Sequence, residues 1–344
     1  MNWNQQFKLL QGKTILVTGA TGLIGSNLVH ALMAIKDITV IALSRSSEKL
    51  KACFGCYDHL ENFMQVQHDV VNPIRLDCPP IDYIFHAAGP QERAVIENHP
   101  MQVIGANIQG TINCLDFLKQ QKNASKKNGR LILFSSVTVY GNNTNEDLVV
   151  SEHDTHITSG LDSFGAPYAE SKRLSEVICQ SYYQEHMLDY VVARLSTIYG
   201  DSKHKTNTAF FEFILDALNG QSLTVNSNNL PRRDNLYIDD AITGLLTIAI
   251  KGSLGEAYNL SSNGDLGNFL AVDEIAQKIT DITNKDFDKE LSLNIKNISP
   301  DSKRLPGLIL NNKKLKSLGW EVSTSFADGV KETLRQAAAG IQNE

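Results

Sequence analysis

Short runs of consecutive apolar residues alternate with longer segments whose apolar residues recur every three or four positions. This alternation organises the chain up to about residue 200. The short runs are Thr14 to Val17, Ile38 to Leu43, Ile81 to His86, Arg130 to Ser136 and Tyr190 to Leu195, and Met64 to His68, broken by Gln65 and Gln67, reads as a further strand. Unbroken apolar runs of this length are expected of strands buried on both faces of a parallel sheet. Between them, the segment 23–34 carries Leu23, Leu28, Leu32 and Ile35 on one helical face. After Pro100, Val103, Ile104, Ile108, Ile112, Leu115 and Leu118 give a wide apolar face, and 167–186 reads as another long helix. Trp3, Phe7 and Leu10 mark a short helix over Asn2 to Leu10. The fold class predicted is α/β, a Rossmann-like doubly wound parallel sheet.

Residues 142–164 are rich in Asn, Thr and Ser and have no clear period, which predicts a surface excursion. Past Gly200 the alternation loosens. Helices are predicted over 208–219, 235–250, 272–281, 311–318 and 325–339, an irregular insertion over 222–234, and a last strand over 256–260. The pattern divides into an NAD(P)-binding Rossmann-like domain over 1–200, completed by about 235–262, and a smaller, interleaved C-terminal α+β lobe for substrate over 201–344. No Pro-rich linker separates the two, so they should share a wide contact.

Composition narrows the function. Hydrophobic residues make up 42% of the chain, and 32 Lys and Arg face 38 Asp and Glu without a basic cluster, so no nucleic-acid partner is implied. No stretch is apolar enough to cross a membrane and the N-terminus lacks a leader pattern, which predicts a soluble cytoplasmic protein. Of five cysteines, only Cys53 and Cys56 are closely spaced, and with no second pair they predict neither a metal site nor a disulfide framework.

The chemistry concentrates at the ends of the predicted strands. Gly19 lets the chain turn at the end of the first strand, Gly22 lets backbone N–H groups approach a pyrophosphate, and Gly25 lets the next helix pack closely. That helix N-terminus offers unpaired donors and a favourable dipole to phosphate. The second strand ends at Ser44-Arg45. A carboxylate here suits the ribose of NAD, a cation the 2′-phosphate of NADP, so Arg45 either favours NADP or is a solvated loop residue. Ala87, Ala88 and Gly89 let the backbone lie along the cofactor. Tyr168 and Lys172 stand one helical turn apart on one face. A nearby ammonium favours the phenolate of a tyrosine, which then exchanges a proton while hydride moves to nicotinamide, and Lys172 also reaches the nicotinamide ribose. Ser136, at a strand end, is placed to hydrogen-bond a substrate hydroxyl.

Taken together, Thr18-Gly19-Ala20-Thr21-Gly22-Leu23-Ile24-Gly25, Asp69-Val70, His86-Ala87-Ala88, Asn107, the run Ser135 to Gly141, Tyr168-Ala169-Glu170-Ser171-Lys172, Arg194 with Tyr199-Gly200, and Arg233-Asp234 with Tyr237-Ile238-Asp239-Asp240 resemble the extended short-chain dehydrogenase/reductase family of nucleotide-sugar epimerases and dehydratases. The resemblance spans about Gly12 to Thr333. It implies that Thr21, Leu23, Ile24 and Asn107 join the glycines at an NAD(P) site, with Asp69 and Val70 near adenine. It also implies a catalytic set of Ser136, Tyr168 and Lys172, and an Arg233 that meets the diphosphate of a nucleotide sugar. Arg304 matches a second nucleotide-contacting arginine less closely. Family members that eliminate water carry Asp-Glu after the catalytic Ser or Thr, where this chain has Val137-Thr138, and decarboxylases carry a glutamate in place of Thr138. Thr197 stands where relatives place a substrate-binding Asn. The resemblance therefore implies an epimerase serving surface-polysaccharide sugar synthesis. An NADPH-dependent reductase of a keto sugar is the alternative, ahead of a decarboxylase, a dehydratase or a nucleotide sensor without turnover. The helices at 101–120 and 167–186 carry more apolar surface than one sheet face needs, which with the resemblance implies a homodimer.

Overall fold

The computed structural model of the chain describes residues 7–141, 146–154, 160, 162–201, 208–227, 230–296 and 304–341. The strands in chain order are β1 (Thr14–Thr18), β2 (Thr39–Ser44), β3 (Phe63–Gln67), β4 (Tyr83–His86), β5 (Arg130–Ser136), β6 (Leu148–Val150), β7 (Asp189–Leu195), β8 (Thr197–Tyr199), β9 (Leu223–Val225), β10 (Arg233–Tyr237), β11 (Ala257–Leu260), β12 (Phe269–Leu270), β13 (Leu293–Ile295) and β14 (Leu308–Leu310). The α-helices are α1 (Leu23–Met33), α2 (Ser47–Phe54), α3 (Arg93–Asn98), α4 (Pro100–Ser125), α5 (Ala166–His186), α6 (Ala209–Leu218), α7 (Ile238–Lys251), α8 (Val272–Asp286), α9 (Lys313–Lys316) and α10 (Phe326–Ile341).

Seven strands form one parallel sheet in the order β3-β2-β1-β4-β5-β7-β11. Alternation along each strand explains the unbroken apolar runs. Ile15, Val17, Val40, Ala42, Phe85, Ile132 and Phe134 join one core with Leu28 and Leu32 of α1 and Leu245 and Ile248 of α7. Leu16, Ile41, Leu43, Ile84, Leu131 and Leu133 join a second core with Cys114, Leu115 and Leu118 of α4 and Cys179 of α5. The strand order reverses between β1 and β4, and in open sheets of this kind the crevice beyond the carboxyl ends of two such strands is where ligands bind. The architecture is the Rossmann-like α/β fold the periodicity predicts.

The C-terminal part holds a second sheet, β12-β10-β14-β6, with β8 beside β10, and a small β9-β13 pair. Here local pattern misleads. The expected helix over 235–250 begins only at Ile238, because Asn235, Leu236 and Tyr237 pair in parallel with Thr197, Ile198 and Tyr199. Asn235 reinforces the ladder by donating Nδ2 to the Asn268 carbonyl at 2.9 Å. The expected insertion over 222–234 contains β9 and the start of β10. Within the polar excursion, β6 pairs with β14 and buries Val150. Residues 142–145, 155–159 and 161 lie outside the described residues, as do 1–6 with Trp3. The expected N-terminal helix is described only as a 3-10 turn over Lys8–Leu10, with Phe7 and Leu10 buried. Over 311–318 only the short α9 forms, whereas α8 runs on past 281 to Asp286. Among the described residues no helix is long and apolar enough to cross a membrane.

Candidate active site

At the crevice, β1 runs through a glycine-rich turn into α1. Gly19 has φ +65, in the left-handed region, and a Cβ there would lie 2.7 Å from the Ala88 amide nitrogen and 2.8 Å from the Ala87 carbonyl carbon. The turn thus rests on the small residues that follow β4. A Cβ at Gly25 would overlap the Gly19 carbonyl oxygen and come within 3.0 Å of Ala20 Cα, so α1 packs on the turn only without one. Gly22 differs. A Cβ there would meet nothing nearer than the Gly19 oxygen at 3.4 Å, so the absent side chain leaves room on the crevice side. Gly22 is also the N-cap of α1 and supplies no side-chain cap. The N–H groups of Leu23, Ile24 and Gly25 precede any intrahelical acceptor and stay available to an anion. Thr21 hydrogen-bonds Ser44 between hydroxyls at 2.8 Å, which ties the turn to the end of β2. The Thr18 hydroxyl and His86 Nδ1, 2.8 Å apart, likewise tie β1 to β4, and burial pushes the imidazole down to about 3, so it is neutral.

Beyond Ser44 the Arg45 side chain is exposed and makes no hydrogen bond or ion pair among the described residues. Asp69 and Val70 follow β3 on the same edge of the sheet. The Asp69 carboxylate accepts the Val71 N–H at 3.2 Å, and Val70 packs against Gly110 of α4.

On the other side of the crevice, β5 delivers Ser136 and α5 delivers Tyr168 and Lys172, all three buried. Ser136 lies beside the Tyr168 phenol, which it favours in the ionised form, and accepts the Thr138 N–H at 3.3 Å. Lys172 Nζ donates to the Phe134 carbonyl at 2.8 Å and stands 5.8 Å from the centre of the Tyr168 ring. The ammonium was expected to favour the phenolate. In this state it is engaged with the strand, and burial, only partly offset by the neighbouring Ser136, raises Tyr168 to about 12. The phenol is therefore protonated at rest. Burial also brings Lys172 down to about 8, with Glu176 opposing.

Asn107 reaches the same place from α4. Its Nδ2 donates to Ser171 Oγ at 2.8 Å, and its carbonyl oxygen accepts the hydroxyls of Thr111 and Ser175. Its side-chain Oδ1 is buried with no partner among the described residues. A Cβ at Gly89 would collide with that oxygen and lie 3.5 Å from Lys172 Nζ. An orphaned acceptor, a glycine that leaves space beside it and an ammonium thus converge within reach of the open phosphate turn. Those groups fit a dinucleotide running from the Gly22 turn to Lys172.

The residues expected on the substrate side are carried by β8 and β10. Thr197 is the register partner of Asn235, and Arg233 lies two residues, about 7 Å, further along β10 on the same face. Arg233 is exposed and has no acidic partner among the described residues, whereas Asp234 points the other way, accepting the Ser262 N–H at 3.0 Å. Arg304 is brought to the same end of the molecule, but its guanidinium is paired with Asp273 at 2.8 and 2.7 Å. Arg232, next to Arg233, is held in the same way by Glu274. Among the described residues Thr138 Oγ1 is buried without a partner, and so is the hydroxyl of Ser196, a residue that nothing in the spacing of the sequence distinguishes. Among the described residues no group of three or more His, Cys, Asp or Glu is arranged to hold a metal.

A model of the NAD dependent epimerase/dehydratase family matches residues 15–261. The chain belongs to that family. UDP-glucuronic acid decarboxylase 6 of Arabidopsis thaliana is 28% identical over 325 residues, 92% of this chain and 86% of the relative. Among solved structures, an epimerase from Methanothermobacter thermautotrophicus superposes with a TM-score of 0.79 at 23% identity, covering 99% of this chain and 96% of that one. The UDP-glucuronic acid 4-epimerase of Bacillus cereus, in complex with UDP-glucuronic acid and NAD, superposes with a TM-score of 0.75 at 22% identity, covering 95% and 99%. Membership makes the chain an NAD(P)-dependent enzyme, and the structural likeness covers nearly its whole length, the Rossmann-like sheet and the smaller C-terminal sheets alike.

Proposed function

We propose that the enzyme is a nucleotide-sugar epimerase that oxidises one sugar carbon, lets the keto intermediate present its other face and reduces it again. The observation that carries this reading is the burial of Ser136, Tyr168 and Lys172 together where β5 meets α5, in a site whose next two residues, Val137 and Thr138, bring no carboxylate. Bound NAD(P) would supply the hydride acceptor and, when oxidised, a positive ring that favours the Tyr168 phenolate. Leu23, Ile24 and Gly25 N–H groups would hold its pyrophosphate, Asn107 and Lys172 its far end. Arg233, on the same face of β10 as Asn235 and without an acidic partner among the described residues, would take the substrate diphosphate. Tyr168 then receives the proton of the sugar hydroxyl, Ser136 holds that hydroxyl, and the same phenol returns the proton when the carbonyl is reduced.

Elimination or decarboxylation needs a further acid or base on the sugar. Thr138 offers a hydroxyl with no partner, which can bond a sugar oxygen but cannot do that work. Glu176, one turn past Lys172, is neutralised by Arg194 at 2.7 Å. These features weigh against the decarboxylase activity of the plant relative. The alternative is an NADPH-dependent reductase of a nucleotide-linked keto sugar, which the unpaired Arg45 beyond β2 favours. Absorbance at 340 nm separates the two: an epimerase leaves it unchanged over many turnovers, a reductase consumes one NADPH per product. We also propose that the enzyme is a homodimer. Tyr168→Phe removes the transferable proton and keeps the ring, so turnover should fall by about 10² to 10⁴ while melting temperature and cofactor affinity hold. Near-normal turnover in that variant would refute the mechanism.

A further inference from the structure

Three consecutive residues at the end of β5 touch three residues of α5 spaced four apart. The Phe134 carbonyl accepts from Lys172 Nζ, Ser135 Oγ donates to Glu176 Oε1, and Ser136 lies beside the Tyr168 phenol. A spacing of four keeps 168, 172 and 176 on one helix face, so strand end and helix face meet at three successive rungs. Two of the rungs carry the proposed chemistry, and the third, Ser135 to Glu176, has no step in it.

That third rung is nevertheless the most heavily built. Ser135 and Arg194 are register partners on the neighbouring strands β5 and β7, and both reach Glu176. Arg194 Nε donates to Oε1 at 3.1 Å and Nη2 to Oε2 at 2.7 Å, with side chains only 13% and 16% exposed. The Nη1 group of Arg194 goes on to Tyr140 Oη at 3.0 Å and the Glu152 carbonyl at 2.9 Å, in the segment that leaves β5 just after Ser136. Tyr140 in turn donates to Asn259 Oδ1 on β11 at 2.6 Å. One carboxylate thus joins the catalytic helix, the strand that ends in Ser136, and the two strands beyond it.

We propose that Glu176, clamped by Arg194 and Ser135, is a positioning residue: it fixes the face of α5 against the end of β5 and so sets the placement of Tyr168 and Lys172 relative to Ser136. What is positioned rests on the proposed function, while the clamp does not. Misplacing reacting groups by about 1 Å can cost about 10²-fold in rate, so a clamp acting at one remove is felt in turnover before it is felt in binding.

The test uses the full chain with NAD+, and UDP-glucuronic acid as probe. Ser135→Ala removes one hydroxyl from the clamp, Ser135→Thr keeps it, and Glu176→Gln keeps the shape and one acceptor but not the charge. In Ser135→Ala, kcat should fall about 10-fold with KM within about twofold, Ser135→Thr should recover most of the loss, and Glu176→Gln should fall about 100-fold. Amide hydrogen exchange, which needs no substrate, should quicken over residues 168–176 in Ser135→Ala and not in Ser135→Thr. Wild-type kcat in Ser135→Ala, or a Ser135→Thr variant as impaired as Ser135→Ala, overturns the proposal. If Glu176→Gln does not fold, the serine pair decides alone. A wild-type chain inert on the probe counts against the epimerase reading on that sugar, and exchange then decides the clamp: unchanged rates over 168–176 in Ser135→Ala overturn it.

Discussion

Lys172 carries a cost that can be measured without any substrate. Burial holds its ammonium at about 8, below the ordinary lysine value of 10.5. Between those two values the unfolded chain binds a proton that the folded chain has released, so stability rises with pH across that window and the full penalty stands below it. Lys172→Met should therefore be more stable than wild type at pH 7, by about 1 to 3 kcal/mol after the lost Phe134 hydrogen bond is set against it, and the two should converge near pH 10.5. Thermal melts of the cofactor-free protein from pH 6 to 10.5 check this; parallel curves would show that the lysine is not held in a depressed state. The same variant should lose turnover and cofactor affinity. Arg45 poses the converse case, an exposed cation with no partner among the described residues. If a 2′-phosphate is its partner, Arg45→Ala weakens NADP+ binding by about 1 to 3 kcal/mol and leaves NAD+ unchanged, as titration calorimetry would show. Equal losses would make it a loop residue only. The Tyr168 and Lys172 pair was legible because a spacing of four is a statement about one helix face. The clamp on Glu176 was not, because its partners Ser135 and Arg194 come from different strands, and only sheet register brings them together.

The turn between β1 and α1 separates two uses of glycine. Gly25→Ala puts a methyl into the Gly19 carbonyl and must push α1 off the turn, which overpacking prices at about 1 to 3 kcal/mol. Gly22→Ala meets only ordinary contact at 3.4 Å and has an N-cap φ of −78 that alanine adopts freely, so its stability should stay within about 0.5 kcal/mol of wild type. Its cofactor affinity should fall about 10-fold or more, since the new methyl occupies the space left for phosphate. Melting temperatures beside NAD+ titrations distinguish the two, and equal destabilisation would mean that both glycines serve packing alone. Elements such as β1, β2, β5, α4 and α5 were readable from period because each is buried by its immediate neighbours in the sheet. The segment Asn235 to Tyr237 was not, because its apolar spacing suits a helix and a ladder with Thr197 to Tyr199 overrides it.

At the scale of the molecule, α4 and α5 lie side by side over the sheet, and the outer face of α5 leaves Leu174 and Val177 exposed by 44% and 58%. These two are one turn apart, on the side away from Ser171, Lys172 and Ser175. If two copies pair there, Leu174→Glu with Val177→Glu should give a folded monomer where wild type scatters light as a dimer at micromolar concentration. A wild-type monomer would refute the pairing. The central claim is that one hydride leaves the sugar and returns to it. The most direct measurement is to incubate the enzyme and NAD+ with UDP-glucuronic acid, then with other nucleotide sugars, each deuterated at the carbon to be oxidised, and to follow the sugar by NMR and the cofactor at 340 nm. We predict inversion at that carbon, retention of its deuterium and no net change in absorbance. Release of carbon dioxide, loss of the deuterium from the sugar, or product formed in step with a net change at 340 nm would contradict the account.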